Sequence, residues 1–436
     1  MTWTRGTGGV RTGQTNYRVP AAYRGLAPVK LDRTGAGRLG RGSSRGRGPR
    51  RRLAGFFRTV FGRGSPLRQL DWILLLVVLA LSLLGTLLVW AATEPQLTSA
   101  GQDPKTYLFK QLLNIAIGLV LMGGVSMLDY RQIRLLSPIV LIASCLGLLV
   151  VLSPLGSVVN GAKSWISLPG GFQIEPSEYA KLSLILVCGM VLSEIPAGET
   201  RPRLRQVAIA IGLAAIPLAL VAAEPDLGVV MLLVALLIGL VALSGLRLRW
   251  LGALIGVAAA GIVAVVKLHL LKSYQVSRLT SFLNPNADPR GTGYSARESM
   301  ISIGAGGVHG EGLFHGALVA GQFVPEQYTD FIFSASGEEL GFVGSLIILA
   351  LLALLLFRTL RIAARADDQF GMLVAAGVAL WFGVQAFINI GMTIGIMPVT
   401  GLPLPFVSYG GSAIFADMIA IGVLQAVYRR RVVFAA

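Results

Sequence analysis

Apolar runs of about twenty residues recur along this 436-residue chain, and they constrain its fold more than any other feature. A run of that length crosses the hydrocarbon core of a bilayer as one helix, because lipid offers backbone N–H and C=O groups no partner outside the helix itself. Composition agrees: only 14% of residues are charged, against about 25% in soluble domains. The chain reads as an all-α membrane protein. About ten transmembrane helices are expected, near 70–92, 108–127, 135–154, 177–195, 205–223, 226–245, 250–271, 338–357, 370–393 and 409–428.

Charge orders the connections. Residues 1–69 hold 16 of the 38 Lys and Arg and one acid, Asp32, so +15 of the net +17 lies in this stretch. Rich in Arg, Gly and Ser, it has too little apolar surface to offset chain entropy and reads as a disordered basic tail that touches anionic lipid. Arg/Gly content alone is a weak nucleic-acid signal, and no nucleic-acid partner is expected. Of the remaining 22 basic residues, 13 fall in the even connections. Arg131 and Arg134 follow span two, Arg201, Arg203 and Arg205 span four, and Arg247 and Arg249 span six. Arg358, Arg361 and Arg365 follow span eight, and Arg429, Arg430 and Arg431 span ten. Every even connection is basic, as cytoplasmic loops are, which puts both termini in the cytoplasm. One outward connection, about 272–337 between spans seven and eight, is much longer than the rest. It is expected to fold back on the bundle as short amphipathic or re-entrant segments over a cavity.

Four polar clusters stand out. NGAKSWISLPGGFQIEPSEYAKL (160–182) carries Lys163 and Trp165 on an outer loop, then Pro176-Ser177 as a helix start with Ser177 as N-cap. Glu178 and Lys181 share a helical face; they read either as an interfacial salt bridge or as the wall of a polar site. EPDLG (224–228) places Glu224 and Asp226 around a proline, as a tight turn or as an acid aimed into the cavity. The long loop supplies Arg278, Arg290 and Arg297 beside glycine-dense backbone, a combination suited to an anion such as pyrophosphate. No nucleotide-binding fingerprint is present. MPVTGLPLPFVSYGGSAIF (397–415) cannot be one helix, because Pro398, Pro403 and Pro405 interrupt it. Gln385 and Asn389 of span nine are placed to hydrogen-bond to this broken segment. PEQYTDFIFSASGEELG (325–341) sets Asp330, Glu338 and Glu339 at the mouth of a span. Cys145 and Cys188 read as packing residues, and His269, His309 and His315 fit no metal-ligand spacing.

These blocks, in this order and over about 70–431, resemble the SEDS family (shape, elongation, division and sporulation; FtsW/RodA/SpoVE) of multipass bacterial membrane proteins. GLPLPFVSYGGS looks more like the elongation branch than the division branch. Ser295 departs from the family pattern, which has Gln after this tyrosine in many members. The resemblance implies a peptidoglycan glycosyltransferase of the cytoplasmic membrane. Such enzymes polymerise lipid II at the outer face beside a class B penicillin-binding protein. It implies Asp330 as the catalytic base and gives Lys163, Trp165, Glu178, Lys181, Arg278, Thr329, Ser408 and Tyr409 as substrate-binding candidates. Charge on the departing pyrophosphate would fall to Lys163, Lys181, Arg278 or a divalent cation, Mg2+ or Mn2+; no protein metal site is expected. Glu338 and Glu339 read as structural. The competing readings are a flippase for a polyprenyl-linked sugar and a non-catalytic scaffold for a transpeptidase.

Overall fold

The computed structural model describes residues 69–159, 162–167, 173–196, 199, 201–224, 226–268, 273–283 and 292–435. The basic tail of residues 1–68, Arg290 and His269 lie outside them. Among the described residues ten apolar helices make up the bundle. They are α1 (Trp72–Ser99), α2 (Thr106–Met127), α3 (Tyr130–Leu152), α4 (Pro176–Leu192), α5 (Leu204–Ala223), α6 (Leu227–Leu243), α7 (Leu248–Lys267), α12 (Gly341–Ala363), α13 (Gln369–Thr393) and α14 (Gly411–Ala435). Seven are long and apolar enough to cross a bilayer; α6 and the apolar stretch Leu248–Gly261 of α7 are shorter, and α4 has 17 residues.

Helix starts follow from local chemistry. Asp71, Asp226 and Asp368 cap α1, α6 and α13 by accepting the N–H of Leu74, Val229 and Gly371 at 3.1, 3.0 and 2.9 Å. A carboxylate there meets both the orphan donors and the positive end of the helix dipole. Asp129 and Gln132 form a capping box at α3.

The basic connections gather at one end of the bundle. Arg358 Nε donates to Asp71 Oδ2 at 2.7 Å, Arg430 to Asp368 at 3.1 Å, and Arg429 to the Leu128 carbonyl at 3.1 Å. Tyr130 donates to Asp368 at the same end. Peripheral and central helices differ. Only 22% of the most apolar window of α2 is buried, against 72% in α13 and 78% in α14. Lipid-facing helices leave Leu, Ile and Val exposed, whereas α4, α13 and α14 form the middle.

At the opposite end the fold departs from pure helix. Between α3 and α4 runs a small antiparallel sheet of order β1-β2-β3, with β1 Ser157–Val159, β2 Ala162–Ser167 and β3 Gln173–Ile174. Lys163 and Trp165 thus sit on a strand, not an irregular loop. Ser177 is not the N-cap of α4: Glu175 is, and Ser177 Oγ donates to Glu175 Oε1 at 2.8 Å. The helix is capped two residues earlier because Pro176, lacking an N–H, suits the first helical position.

The long connection folds back as expected. It forms α8 (Ser273–Leu283), α9 (Thr292–Ala305), α10 (Ala317–Ala320) and α11 (Ile332–Glu339). A kink at Gly341, φ +68°, separates α11 from α12. All eight residues of α11 are buried. The glycine-dense stretch 304–312 is not an anion cradle: Glu311 and Gly312 donate their N–H groups to the carbonyls of Glu338 and Glu339 at 2.9 and 3.0 Å. A Cβ on Gly306 would lie 1.9 Å from the Gly337 carbonyl oxygen. Those glycines let two backbones touch. Glu338 accepts from Ser302 Oγ at 2.6 Å and from the N–H of Leu318 at 2.7 Å, pinning α9 and α10 to α11.

Candidate active site

Asp330 lies in the turn that leads into α11, and that turn is wound tightly. Glu326 has φ +53°, and its carbonyl oxygen accepts from the N–H groups of Thr329, Asp330 and Phe331. A non-glycine residue in the left-handed region costs about 1–2 kcal/mol, so neighbouring structure must hold it there. Beneath it Val324, Phe331 and Met392 form a small apolar cluster, with Met397 and Val399 packed on it.

The broken segment between α13 and α14 closes the other side, fixed by α13. Asn389 donates through one amide nitrogen to the carbonyls of Asp330 and Leu402, both at 2.7 Å. Gln385 donates to the Pro403 carbonyl at 2.8 Å. Because this segment is not helical, its carbonyls need partners from elsewhere, and the amide side chains supply them to Leu402 and Pro403. Ser408 Oγ accepts the Leu404 N–H at 2.8 Å, and the Ser408 carbonyl accepts from Gln111 at 3.2 Å. Tyr409 donates its N–H to the Tyr328 carbonyl at 3.0 Å. The rings of Tyr107, Tyr328 and Tyr409 pack with centroids 4.9–5.9 Å apart beside the aspartate's turn.

Gly401 faces the carboxylate directly. Its φ is +81°, and a Cβ there would meet Asp330 Oδ2 at 3.4 Å. Gly401→Ala should therefore destabilise this turn by about 1–2 kcal/mol, the cost of a left-handed alanine. The melting temperature should fall accordingly; an unchanged melting temperature would show that the left-handed turn at 401 carries no such cost.

Electrostatically, carboxylates outnumber cations here. The half-buried Asp330 is crowded by protein and lies in the field of Glu326. Arg278 opposes this shift and Asp226 adds to it; together they push the carboxyl up to about 8. Arg278 also donates to the Thr400 carbonyl at 3.4 Å, next to Gly401. Glu224 is buried, and neither of its carboxylate oxygens has a hydrogen-bond partner among the described residues. Burial and Asp226 push it up to about 8 as well.

The other sequence candidates divide. Thr329 Oγ donates to the Glu326 carbonyl at 3.1 Å, so Thr329, Ser408, Tyr409 and Arg278 all belong to the framework around Asp330. Glu178 and Lys181 form a fully buried pair at 2.6 Å. Lys181 also donates to Gln385 Oε1 at 3.0 Å, as does Trp381 Nε1 at 2.7 Å, and the ammonium lies 5.1 Å from the Trp381 ring centroid. The pair thus reaches the Pro403 carbonyl through Gln385. Lys163 is used elsewhere: its ammonium donates to the carbonyls of Leu152 and Ser153 at 3.3 and 2.7 Å, closing the end of α3. Trp165, half-buried, is on the same strand. Two participants escaped the sequence reading. Glu326 sits four residues before Asp330 in the same motif. Asp417 is a buried acid within a span, itself a signal of function or constraint, and accepts the Phe406 N–H at 3.4 Å.

Among the described residues no three His, Cys, Asp or Glu converge as metal ligands.

A ten-helix membrane bundle whose interrupted helices converge on one carboxylate defines a multi-pass membrane protein with a polar site at one end. The chain belongs to the FtsW/RodA/SpoVE family, described as cell cycle proteins, whose model matches residues 71–432. It is similar to the peptidoglycan glycosyltransferase MrdB of Escherichia coli K12, at 39% identity over 83% of this chain and 94% of that one. It also resembles a chain of a peptidoglycan synthase complex that coordinates polymerization and crosslinking. There the TM-score is 0.68 and identity 30%, over 83% of this chain and 98% of that one. The rod shape determining protein RodA of Thermus thermophilus gives a TM-score of 0.61 at 29% identity, over 83% and 97%.

Proposed function

We propose that this protein polymerises lipid II into glycan strands at the outer face of the bacterial cytoplasmic membrane, with Asp330 as general base. The observation that carries the reading is the framed carboxylate: one acid held by its own carbonyl, by Gly401 and by a turn wound on Glu326. Membership of a family whose relatives bear the name peptidoglycan glycosyltransferase supports it. In the step, a sugar hydroxyl of one substrate attacks the anomeric carbon of the other. Asp330 takes the hydroxyl proton, the new C–O bond forms, and undecaprenyl pyrophosphate leaves with the electron pair of the broken bond. An α-linked donor gives a β product by inversion, so one carboxylate suffices. Arg278 is the cation best placed to meet the developing pyrophosphate charge. A Mg2+ or Mn2+ ion would have to draw most of its ligands from the substrate's phosphates, as Mg2+ commonly does. A class B penicillin-binding protein is the expected partner, and the basic end is the cytoplasmic one.

The test is incubation of the purified protein with fluorescent lipid II, alone and with its transpeptidase. Muramidase-sensitive polymer is expected. Transfer of lipid II between leaflets without polymer would replace this reading with a flippase.

The raised carboxyl has a consequence for pH. A base works only when deprotonated, so below about 8 the active fraction of Asp330 falls as protons are added, roughly tenfold per unit once well below the pKa. Polymerisation measured from pH 6 to 9.5 should rise and level off above about 8. A profile already flat at pH 6 would contradict the crowding of Asp330 by Glu326 and buried protein.

A further inference from the structure

Lys110 lies in the second turn of α2, at the end of the bundle that holds Asp330, and is exposed. No ion pair among the described residues involves it. Its ammonium lies 5.3 Å from the centroid of the Tyr107 ring. A ring face answers part of the charge and leaves the three N–H donors for a ligand. Lys163, Lys181 and Arg278 at this end are already engaged, with the carbonyls of Leu152 and Ser153, with Glu178 and with the Thr400 carbonyl.

The fold fixes where Lys110 stands relative to Asp330. The buried Gln111 donates to the Ser408 carbonyl at 3.2 Å. The Tyr107 ring packs on those of Tyr409 and Tyr328 with centroids 4.9 and 5.2 Å apart, and Tyr409 donates its N–H to the Tyr328 carbonyl. Tyr328 is two residues from Asp330, so two half-buried tyrosine rings stand between the catalytic turn and the ammonium. The neighbouring face of α2 is made for hydrocarbon: Phe109, Leu113 and Val120 are 61%, 50% and 75% exposed.

The proposed reaction joins two lipid-linked substrates, so two pyrophosphates must be held at once. The donor's departs beside Asp330, where Arg278 stands. The acceptor's is separated from the attacking hydroxyl by two sugar rings and needs a cation farther from the carboxylate. We propose that Lys110 binds the pyrophosphate of the acceptor lipid II, whose sugars pass over Tyr107 and Tyr328 toward Asp330 and whose polyprenyl chain lies along the exposed face of α2. The assignment rests on the glycan-polymerase reading above. Ring faces suit the C–H surfaces of pyranoses, and an ammonium meets pyrophosphate oxygens through charge-assisted hydrogen bonds. A soluble anion would use Lys110 and gain nothing from Phe109, Leu113 and Val120. A polyprenyl pyrophosphate uses both.

The experiment is steady-state polymerisation by the full-length protein with its transpeptidase in nanodiscs, varying lipid II and a preformed lipid-linked glycan strand separately. Lys110→Met should raise KM for lipid II about tenfold, the loss of one hydrogen bond to a charged group at 1.4 kcal/mol per tenfold. Removing a contact that only binds leaves kcat, and KM for the strand, close to wild type. Lys110→Arg should restore most of the affinity. Lys105→Gln, an exposed cation one turn away, should behave like wild type. Unchanged KM in Lys110→Met, a rise confined to the strand, or an equal rise in Lys105→Gln would each overturn the assignment, the last showing only diffuse charge attraction. Competition by added phosphatidylglycerol in wild type but not in Lys110→Met would overturn lipid II as the occupant. If wild type makes no polymer, the polymerase reading fails by itself, and lipid II binding to Asp330→Asn protein decides the site: about tenfold weaker binding with Lys110→Met added supports it, and equal binding refutes it. If Lys110→Met fails to fold, photoactivatable lipid II on wild type decides: labelling of 107–113 supports the site, and labelling spread evenly over that end of the bundle refutes it.

Discussion

Asp330→Asn should abolish glycan synthesis while leaving the protein folded. The amide is nearly isosteric and cannot accept a proton from the attacking hydroxyl, so the loss should reach the range for a positioned general base, about 10²–10⁴-fold. The fold has little reason to notice. The contact that anchors Asp330 uses its backbone carbonyl, accepting from Asn389 at 2.7 Å. Removing a half-buried charge crowded by Glu326 relieves repulsion. The readouts are polymer from labelled lipid II and the melting temperature in detergent. Normal strands from the Asn protein would remove Asp330 from the mechanism; loss of polymer with loss of folded protein would leave the aspartate a structural part.

Lys181→Met should lower stability severely. It leaves Glu178 as an unpaired carboxylate in the bundle core, and breaking a buried pair in this way costs about 3–5 kcal/mol. Gln385 Oε1 loses one of its two donors, Trp381 remaining, so the amide that holds the Pro403 carbonyl is less constrained and the broken segment should loosen as well. Glu178→Leu/Lys181→Met should recover much of the melting temperature, since apolar replacements of similar volume often match a buried ion pair. The double variant should still polymerise poorly, because Gln385 remains less constrained. If Lys181→Met melts like wild type yet makes no polymer, the lysine meets substrate and the buried pair is not its working state.

The bundle was largely legible before any coordinates. Ten apolar runs became ten helices because backbone in lipid has no alternative, and arginines marked one end. Gln385 and Asn389 were readable as partners of the broken segment because three prolines had to leave carbonyls exposed. Legibility failed where the sequence looked chemical and the fold used it structurally. Glycines at 304–312 resembled an anion cradle but serve contact between backbones. Lys163 looked like a substrate cation but closes α3. A lysine's sequence context does not say which carbonyl or phosphate it will reach.

Sequence alone determined the helical membrane class, the order of the apolar spans, the basic end and the motif that holds Asp330, since each depends on local hydropathy, charge and backbone chemistry. Tertiary structure alone decided that Glu178 and Lys181 neutralise each other away from solvent, and that Gly401 and Asn389 frame the aspartate. Only the packed bundle brings residues 71, 358 and 425 to one spot. These contacts join positions tens to hundreds of residues apart, and a periodic pattern carries no information about which helix face meets which until the bundle has packed.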